Sequence, residues 1–201
     1  MLGRVISKKK MNKNSLSKYI DDTVSVLLKS KELDDKVNLA IELIINSIEN
    51  NKKIIWCGNG GSAADAMHFS AELLGRFKKD RSPMNSISLT CDISAITAIG
   101  NDYGYENIFS RQIEGVGEKG DVLIAISTSG FSENIVRAID VAKTKSIKVI
   151  GITGSKENNP IQGNSDIKLV IDSMETNIIQ EVYQVVCSYI CGEVESYFYP
   201  E

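Results

Sequence analysis

The feature that most constrains the fold of this chain is a series of five short apolar runs between about residues 53 and 171. Loops and stretches with helical spacing separate the runs, which read KIIWC, SISL, DVLIAIS, KVIGIT and IKLVI. The runs lack strict apolar–polar alternation, so they suit strands that are buried on both faces of a parallel sheet. The order predicts an α/β fold, a doubly wound sandwich whose central parallel sheet has about five strands flanked by helices.

Long helices are predicted at both ends of this sheet. Apolar residues recur at helical spacing from about residue 15 to residue 50, with a break at residues 30–32. The closing stretch METNIIQEVYQVVCSYICGEVESYF reads as one long helix. We therefore expect a single domain over residues 12–201.

The first eleven residues read differently from the rest of the chain. They are rich in lysine and arginine and end at a second methionine, Met11. We interpret residues 1–11 as a disordered or non-native extension, with Met11 as the true start. A native but disordered basic tail is equally compatible with this composition.

Composition excludes several classes of function. The formal charge is −3 and the pI about 5.4, without the basic excess that nucleic-acid binding requires, so we expect no direct contact with DNA or RNA. No apolar run is long enough to cross a membrane, and no signal peptide is evident.

The four cysteines of the chain form no CxxC pair, which indicates a reducing cytoplasm; they are Cys57, Cys91, Cys187 and Cys191. Cys187 and Cys191 are expected to be buried free thiols.

A glycine-rich loop follows the first predicted strand, in the stretch CGNGGSAAD. Glycines allow backbone N–H groups to approach a ligand closely, and Ser62 with Asp65 suggests a capping box that opens the next helix. The spacing is neither GxGxxG nor a Walker A loop, so neither a dinucleotide nor a nucleoside triphosphate is indicated. A purely structural strand-to-helix turn would also explain this loop.

A hydroxyl-rich loop, ISTSGFSEN, follows the third predicted strand. Four hydroxyls and the backbone N–H groups of a helix N-terminus can surround an anion without a metal cation, although hydroxyls are also common helix caps. Both loops follow strands of a parallel sheet, at the end where such sheets bind ligands. Together they indicate a monophosphate on a small polar molecule.

The only histidine of the chain, His68, precedes Glu72 by four residues in the stretch MHFSAE. On a helix the two side chains lie on one face, close enough to share a metal ion or a substrate hydroxyl. Taken alone, such a pair is more often a polar contact on the surface.

Four stretches carry a resemblance to a known family. These are CGNGGSAADAMHFSAELLGRF, TAIGNDYGYENIFSRQIE, GDVLIAISTSGFSENIVRAI and IIQEV. From about Met11 to Tyr199 the chain resembles the sugar isomerase (SIS) family, and within it the phosphoheptose isomerases. The resemblance implies a cytoplasmic homotetramer that converts sedoheptulose 7-phosphate to D-glycero-D-manno-heptose 7-phosphate, for the heptoses of lipopolysaccharide or capsule.

The resemblance also assigns roles to residues. It puts two sets around the substrate, namely Asn59, Gly60, Gly61, Asn101 and Asp102 along the sugar, and Ser127, Thr128, Ser129 and Ser132 around the phosphate. It implies one zinc ion per subunit with His68, Glu72 and Gln180 as ligands, where Glu72 and Gln180 also contact the substrate. Aldose–ketose isomerisation needs a base near C1 and C2 and a group that polarises the carbonyl, and Glu72 and zinc would supply these.

One position departs from the family. The isomerases carry a histidine eight residues after the glutamine, as metal ligand and acid/base, and here this residue is Ser188. A neutral hydroxyl is a poor zinc ligand and a poor proton acceptor. A second family histidine, three residues after the glutamine, is Tyr183 here. Cys187 would need a helix rotation of about 100° to replace the missing ligand, so we do not expect it to bind zinc.

Two readings follow from this departure. The first is an isomerase in which Glu72 is the catalytic residue. The alternative is a non-catalytic SIS-type adaptor that binds the replication initiator protein and that also lacks the downstream histidine. Glu72 favours the isomerase, because those adaptors do not keep a carboxylate at this position.

Overall fold

The computed structural model describes residues 15–200 and shows a five-stranded sheet with helices on both faces. The predicted N-terminal extension, including Met11, lies outside the described residues. Every strand pair is parallel, in the order β2-β1-β3-β4-β5. The strands are β1 (Ile54–Gly58), β2 (Ser86–Ser88), β3 (Val122–Ser127), β4 (Lys148–Gly154) and β5 (Ile167–Ile171). The predicted doubly wound sandwich is confirmed, and all five strands fall on the predicted apolar runs.

Eight α-helices complete the described part of the chain. They are α1 (Leu16–Lys29), α2 (Asp34–Glu49), α3 (Gly61–Leu74), α4 (Ile93–Tyr103), α5 (Ser110–Val116), α6 (Glu133–Thr144), α7 (Pro160–Asn164) and α8 (Thr176–Phe198). A 3₁₀ turn, Ser30–Leu33, separates α1 from α2 and confirms the predicted break. None of the helices within residues 15–200 is both long and apolar enough to cross a membrane.

The sheet separates two apolar layers because successive strand residues point to opposite faces. Trp56 of β1 packs in the layer formed by α2, α3 and α8, where Phe69 and Tyr183 are also buried. The neighbouring Ile55 packs in the other layer, with Ile113 of α5. Every residue of β1 and β3 is buried, which explains why their sequences are apolar without alternation.

The pairing of β1 with β3 determines where a ligand can bind. The two strands are aligned so that Gly58 lies opposite Ile126. From β1 the chain crosses to β2 on one side of the sheet, and β3 then returns to the other side of β1. The crevice at such a switch point is where open parallel sheets bind ligands. The loops after β1 and β3 therefore meet at this crevice.

A buried ion pair ties the segment after α3 to α8. The side chains of Arg81 and Glu195 are 0% and 1% exposed, and Arg81 Nε donates to Glu195 Oε1 at 2.8 Å. Glu195 also accepts hydrogen bonds from the backbone N–H groups of Phe77, Lys78 and Lys79. Burial alone would raise the pKa of Glu195, but these N–H groups and the guanidinium outweigh burial and hold the pKa below its ordinary value.

We predict that Glu195→Gln lowers the free energy of unfolding at pH 7 by about 3–5 kcal/mol, because it leaves a buried guanidinium without its partner. The folded-state pKa of Glu195 lies below the ordinary value of 4.5, so the ionised group stabilises the fold above that pH. This stabilisation is lost as the pH falls through the folded-state pKa. Urea denaturation at a series of pH values should therefore show the difference between the two proteins shrinking in acid.

Glu193→Gln is the matched control, since Glu193 is an exposed glutamate on the same helix. It should change the unfolding free energy by no more than about 0.5 kcal/mol. Equal losses in the two variants would contradict a special role for the buried pair.

Candidate functional site

The hydroxyl loop after β3 forms a compact polar group. Ser127 Oγ lies 3.0 Å from Ser132 Oγ and 3.5 Å from Ser129 Oγ. Ser127 is buried, whereas Ser129 is exposed and Thr128 and Ser132 are half-buried. The loop leads into α6, whose N-terminus carries a partial positive charge. The structure thus brings together the four residues that were predicted to surround a phosphate.

Gly130 makes the turn of this loop possible. Its φ is +74°, a conformation that residues with a Cβ rarely adopt. A Cβ at this position would overlap the side chain of Asn159. Asn159 is not free to move aside, because its Oδ1 accepts from Gln162 N and its Nδ2 donates to Lys156 O, both at 2.8 Å.

The glycine-rich loop after β1 differs from its prediction in one respect. The N-cap of α3 is Gly60, with no side-chain cap, so the predicted capping box of Ser62 and Asp65 is wrong. Both residues are buried instead against Tyr183 of α8. Tyr183 Oη lies 3.0 Å from Ser62 Oγ and donates to Asp65 Oδ2 at 2.5 Å, while Gln184 Nε2 donates to Asp65 Oδ1. Packing between the helices has overridden the local capping preference.

Tyr183 occupies the position where the family carries a histidine, and here its hydroxyl is buried between Ser62 and Asp65. Burial raises the pKa of its hydroxyl, and the hydrogen bond to the carboxylate of Asp65 raises the pKa further. The hydroxyl stays protonated at neutral pH and links α3 to α8.

Asn59, predicted to contact the sugar, is held by two residues that the sequence analysis did not single out. Its side-chain amide forms a reciprocal pair with that of Asn134, with two N···O distances of 2.8 Å. Tyr105 Oη also donates to Asn59 Oδ1, at 3.0 Å. The three residues line a cleft of about 540 Å³ together with Ser132 and Arg137. Asn134 and Tyr105 both lie inside the stretches that carried the resemblance, which is the signal that could have found them.

Asn101 and Asp102 lie in the last turn of α4, both exposed, and Asn101 Nδ2 donates to Asp102 Oδ1 at 2.7 Å. The bond from Tyr105 to Asn59 connects the segment that follows α4 to the cleft.

His68 and Glu72 form the predicted pair on α3, with 3.0 Å between His68 Nε2 and Glu72 Oε1. The side chain of His68 is half exposed and that of Glu72 is less so. Across residues 15–200, His, Cys, Asp and Glu side chains nowhere form a group of three or more that could hold a metal ion. The nitrogen and oxygen donors of this pair suit zinc, but in the described part of one copy no further His, Cys, Asp or Glu completes a metal-binding group with them.

Gln180, the third predicted ligand, lies at the opposite end of α3. Its side-chain amide covers Gly61 so closely that a Cβ there would overlap it. Eleven residues separate Gly61 from Glu72 along α3, which corresponds to about 16 Å at the helical rise. Within one copy, Gln180 is therefore grouped with the glycine-rich loop, whereas Glu72 lies near the other end of α3.

Ser188 belongs to the end of α8 that lies beside the His68–Glu72 pair. It follows Gln184, which contacts Asp65, by one turn on the same helix face. One turn further along, burial raises the pKa of the Cys191 thiol to about 12, and the negative charge of Glu72 adds to this shift. Cys187 is buried and free, and burial raises the pKa of its thiol well above the ordinary value. Ser188 is half-buried.

Comparison with known proteins identifies relatives of this chain. The family model described as "SIS domain" matches residues 18–154. The phosphoheptose isomerase of Nitratiruptor sp. is 48% identical over 168 residues, covering 84% of this chain and 89% of that protein. The phosphoheptose isomerase of Helicobacter pylori strain 26695 is 45% identical over 166 residues, covering 83% and 86%.

Solved structures agree with these relatives. The chain is similar to phosphoheptose isomerase GmhA from Neisseria gonorrhoeae, with a TM-score of 0.84 and 35% identity over 90% of this chain and 96% of that chain. It is also similar to a phosphoheptose isomerase from Francisella tularensis, with a TM-score of 0.86 and 32% identity over the same shares.

We predict that Gly130→Ala distorts the hydroxyl loop. The positive φ and the overlap with Asn159 should lower the free energy of unfolding by about 1–3 kcal/mol. Inorganic phosphate should bind more weakly, as measured by calorimetric titration. Gly115→Ala is the control, because Gly115 lies in α5 with nothing within 4 Å of an added Cβ. It should leave phosphate binding unchanged and raise stability slightly, by about 0.5–1 kcal/mol. Unaltered phosphate affinity in Gly130→Ala would argue against a binding role for this loop.

Proposed function

We propose, because the chain belongs to the SIS domain family and within it to the phosphoheptose isomerases, that its substrate is sedoheptulose 7-phosphate and its product D-glycero-D-manno-heptose 7-phosphate. The enzyme class follows from the family: the chain is an isomerase that acts on a phosphosugar in heptose biosynthesis. The relatives give no support to the adaptor alternative. We further propose that the product supplies heptose for lipopolysaccharide or capsule and that the reaction takes place in the cytoplasm.

One observation carries the choice of a phosphorylated sugar, namely the meeting of two loops at the β1–β3 switch point. Ser127, Ser129 and Ser132 present their hydroxyls beside the N-terminus of α6, which favours a phosphate. The neighbouring cleft, lined by Asn59 and Tyr105, offers hydrogen-bonding groups of the kind that sugar hydroxyls require. Asn101, Asp102, Gly60 and Gly61 are proposed to lie along the same sugar.

Glu72 is proposed to move the proton between the two carbons of the isomerising centre. Its carboxylate takes the proton from C1 of the ketose and returns it to C2, through an enediol, while one exchangeable proton leaves the O1 hydroxyl and another joins O2. The hydrogen bond from His68 fixes the orientation of this carboxylate. Zinc, when bound by His68, Glu72 and Gln180, would polarise the substrate carbonyl.

The separation of these residues within one copy supports a site that two subunits share. Glu72 lies about 16 Å along α3 from Gly61, and His68 about 10 Å. A neighbouring copy can supply the pair to the phosphate loops and Gln180. Exposed apolar side chains on the long terminal helices, such as Leu16, Leu28 and Tyr189, support the proposed tetramer.

We predict that Glu72→Gln removes essentially all isomerisation and leaves phosphate binding intact, because it deletes proton transfer while preserving shape. Ser188→His should raise turnover by about 10²–10⁴-fold, the usual contribution of one positioned general base. Both changes in turnover are measured by incubating each protein with sedoheptulose 7-phosphate and zinc and following the formation of the aldose.

Cys187→His is the control for Ser188→His, since residue 187 is buried and turned away by about 100° on the helix. It should bring no gain in turnover. If the parent chain and Ser188→His both bind substrate and zinc yet neither isomerises it, the isomerase proposal fails.

The shared site predicts that two inactive variants complement each other. Ser129→Asp should abolish phosphate binding by placing like charge in the hydroxyl loop, whereas Glu72→Gln removes the base. Tetramers assembled from a mixture of the two chains should regain activity at about a quarter of their sites, because each regained site takes Ser129 from one chain and Glu72 from another. The chain that carries both substitutions is the control, and it should stay inactive with either single variant.

Light scattering at micromolar concentration should give the mass of a tetramer. A monomer, or a mixture with no regained activity, would contradict the shared site.

A further inference from the structure

The side-chain amide of Asn59 has a defined set of hydrogen bonds. Its Oδ1 accepts two, one from Asn134 Nδ2 at 2.8 Å and one from Tyr105 Oη at 3.0 Å. Its Nδ2 donates one, to Asn134 Oδ1 at 2.8 Å. Because a primary amide nitrogen carries two hydrogens, one N–H of Asn59 is left for a further acceptor.

The two partners differ in how they hold this amide. Asn134 is only 2% exposed and lies in the first turn of α6, so it provides a fixed support from inside the protein. Tyr105 is 60% exposed, follows α4, and reaches the amide from the solvent side of the cleft. The segment after α4 and the first turn of α6 thus both contact the Asn59 side chain of the glycine-rich loop.

We infer that Tyr105 and Asn134 are positioning residues for the sugar, which they orient through Asn59. With Oδ1 saturated, Asn59 serves the substrate as a donor through its remaining N–H, so it favours a hydroxyl or carbonyl oxygen of the sugar. Ser132, in the same cleft, marks the end where the phosphate binds. This inference rests on the proposed function, since it specifies how the phosphosugar site selects the sugar part.

The test separates the sugar from the phosphate. Calorimetric titration with sedoheptulose 7-phosphate and, separately, with inorganic phosphate gives two affinities for each protein. Tyr105→Phe removes one hydroxyl from an exposed ring, and Asn134→Leu replaces a buried amide by an apolar group of similar size. Tyr105→Phe should weaken binding of the heptose phosphate about three- to tenfold, the range expected for one lost hydrogen bond. Asn134→Leu removes two hydrogen bonds to Asn59 and should weaken it at least as much, while the affinity of both variants for inorganic phosphate stays the same.

Two further variants identify the route of the effect. Tyr103→Phe is the matched control, because Tyr103 is a neighbouring exposed tyrosine whose ring stacks on Arg111, a contact that phenylalanine preserves. It should leave both affinities unchanged. In an Asn59→Ala background, Tyr105→Phe should have no additional effect, because its partner is already gone.

The outcomes distinguish three cases. If the parent chain binds the heptose phosphate and Tyr105→Phe binds it equally well, the inference is overturned and the proposed function stands. If Tyr105→Phe still weakens binding in the Asn59→Ala background, Tyr105 contacts the sugar directly and positioning through Asn59 is wrong. If the parent binds phosphate but not the heptose phosphate, the proposed function fails and the inference fails with it.

Discussion

The parallel pairing of β1 with β3 is the constraint on which the candidate site depends. Sixty-eight residues separate Ile54 from Val122, yet the two strands lie side by side, with every residue of both buried. Their pairing makes the chain leave β1 in one direction and return in the other, and this opens a crevice at the carboxyl ends. The glycine-rich loop and the hydroxyl loop can meet only because these two strand ends are neighbours. The mutual hydrogen bonds of Asn59 and Asn134 then join the loops directly.

Local sequence was enough to predict the strands, the closing helix and the hydroxyl loop. Apolar runs such as VLIAIS have no polar face, so they can only be buried strands in this context, and the serines that follow them leave few alternatives to a polar turn. Local sequence could not predict the order of the strands, because that order depends on pairing between segments that are distant in the chain. The same holds for Asn59 with Asn134, 75 residues apart, and for Arg81 with Glu195, 114 residues apart. The capping box failed for this reason too: Ser62 met a partner on α8 that no local pattern could reveal.

Two polar layers between α3 and α8 explain how the site residues are divided. Near the start of α3, Tyr183 and Gln184 bind Asp65. Beyond its end, Arg81 binds Glu195 and also caps the last carbonyls of α3, including that of Glu72 at 2.8 Å. These contacts hold the helices side by side and in the same direction. Consequently Gln180 stays with the glycine-rich loop, and Glu72 stays with the part of α8 that carries Ser188.

The resemblance implies two roles for a histidine at position 188, as a metal ligand and as an acid/base group. Serine at this position affects the two roles differently. If zinc were held by the His68–Glu72 pair and by Gln180 of a neighbouring copy, as proposed, these three ligands would leave a coordination position free for a substrate oxygen, as in catalytic zinc sites. Serine at 188 is thus compatible with polarisation of the carbonyl. Proton transfer is the role that it weakens, because a hydroxyl without an adjacent base neither accepts nor donates a proton readily at neutral pH. In the proposed mechanism, proton transfer then depends on Glu72. Its carboxylate is hydrogen-bonded to His68, and Arg81 binds the backbone carbonyl of Glu72 at the end of α3. If Glu72 is the catalytic carboxylate, as proposed, the chain holds it with His68 and Arg81 but has a serine at 188 in place of a second acid/base group.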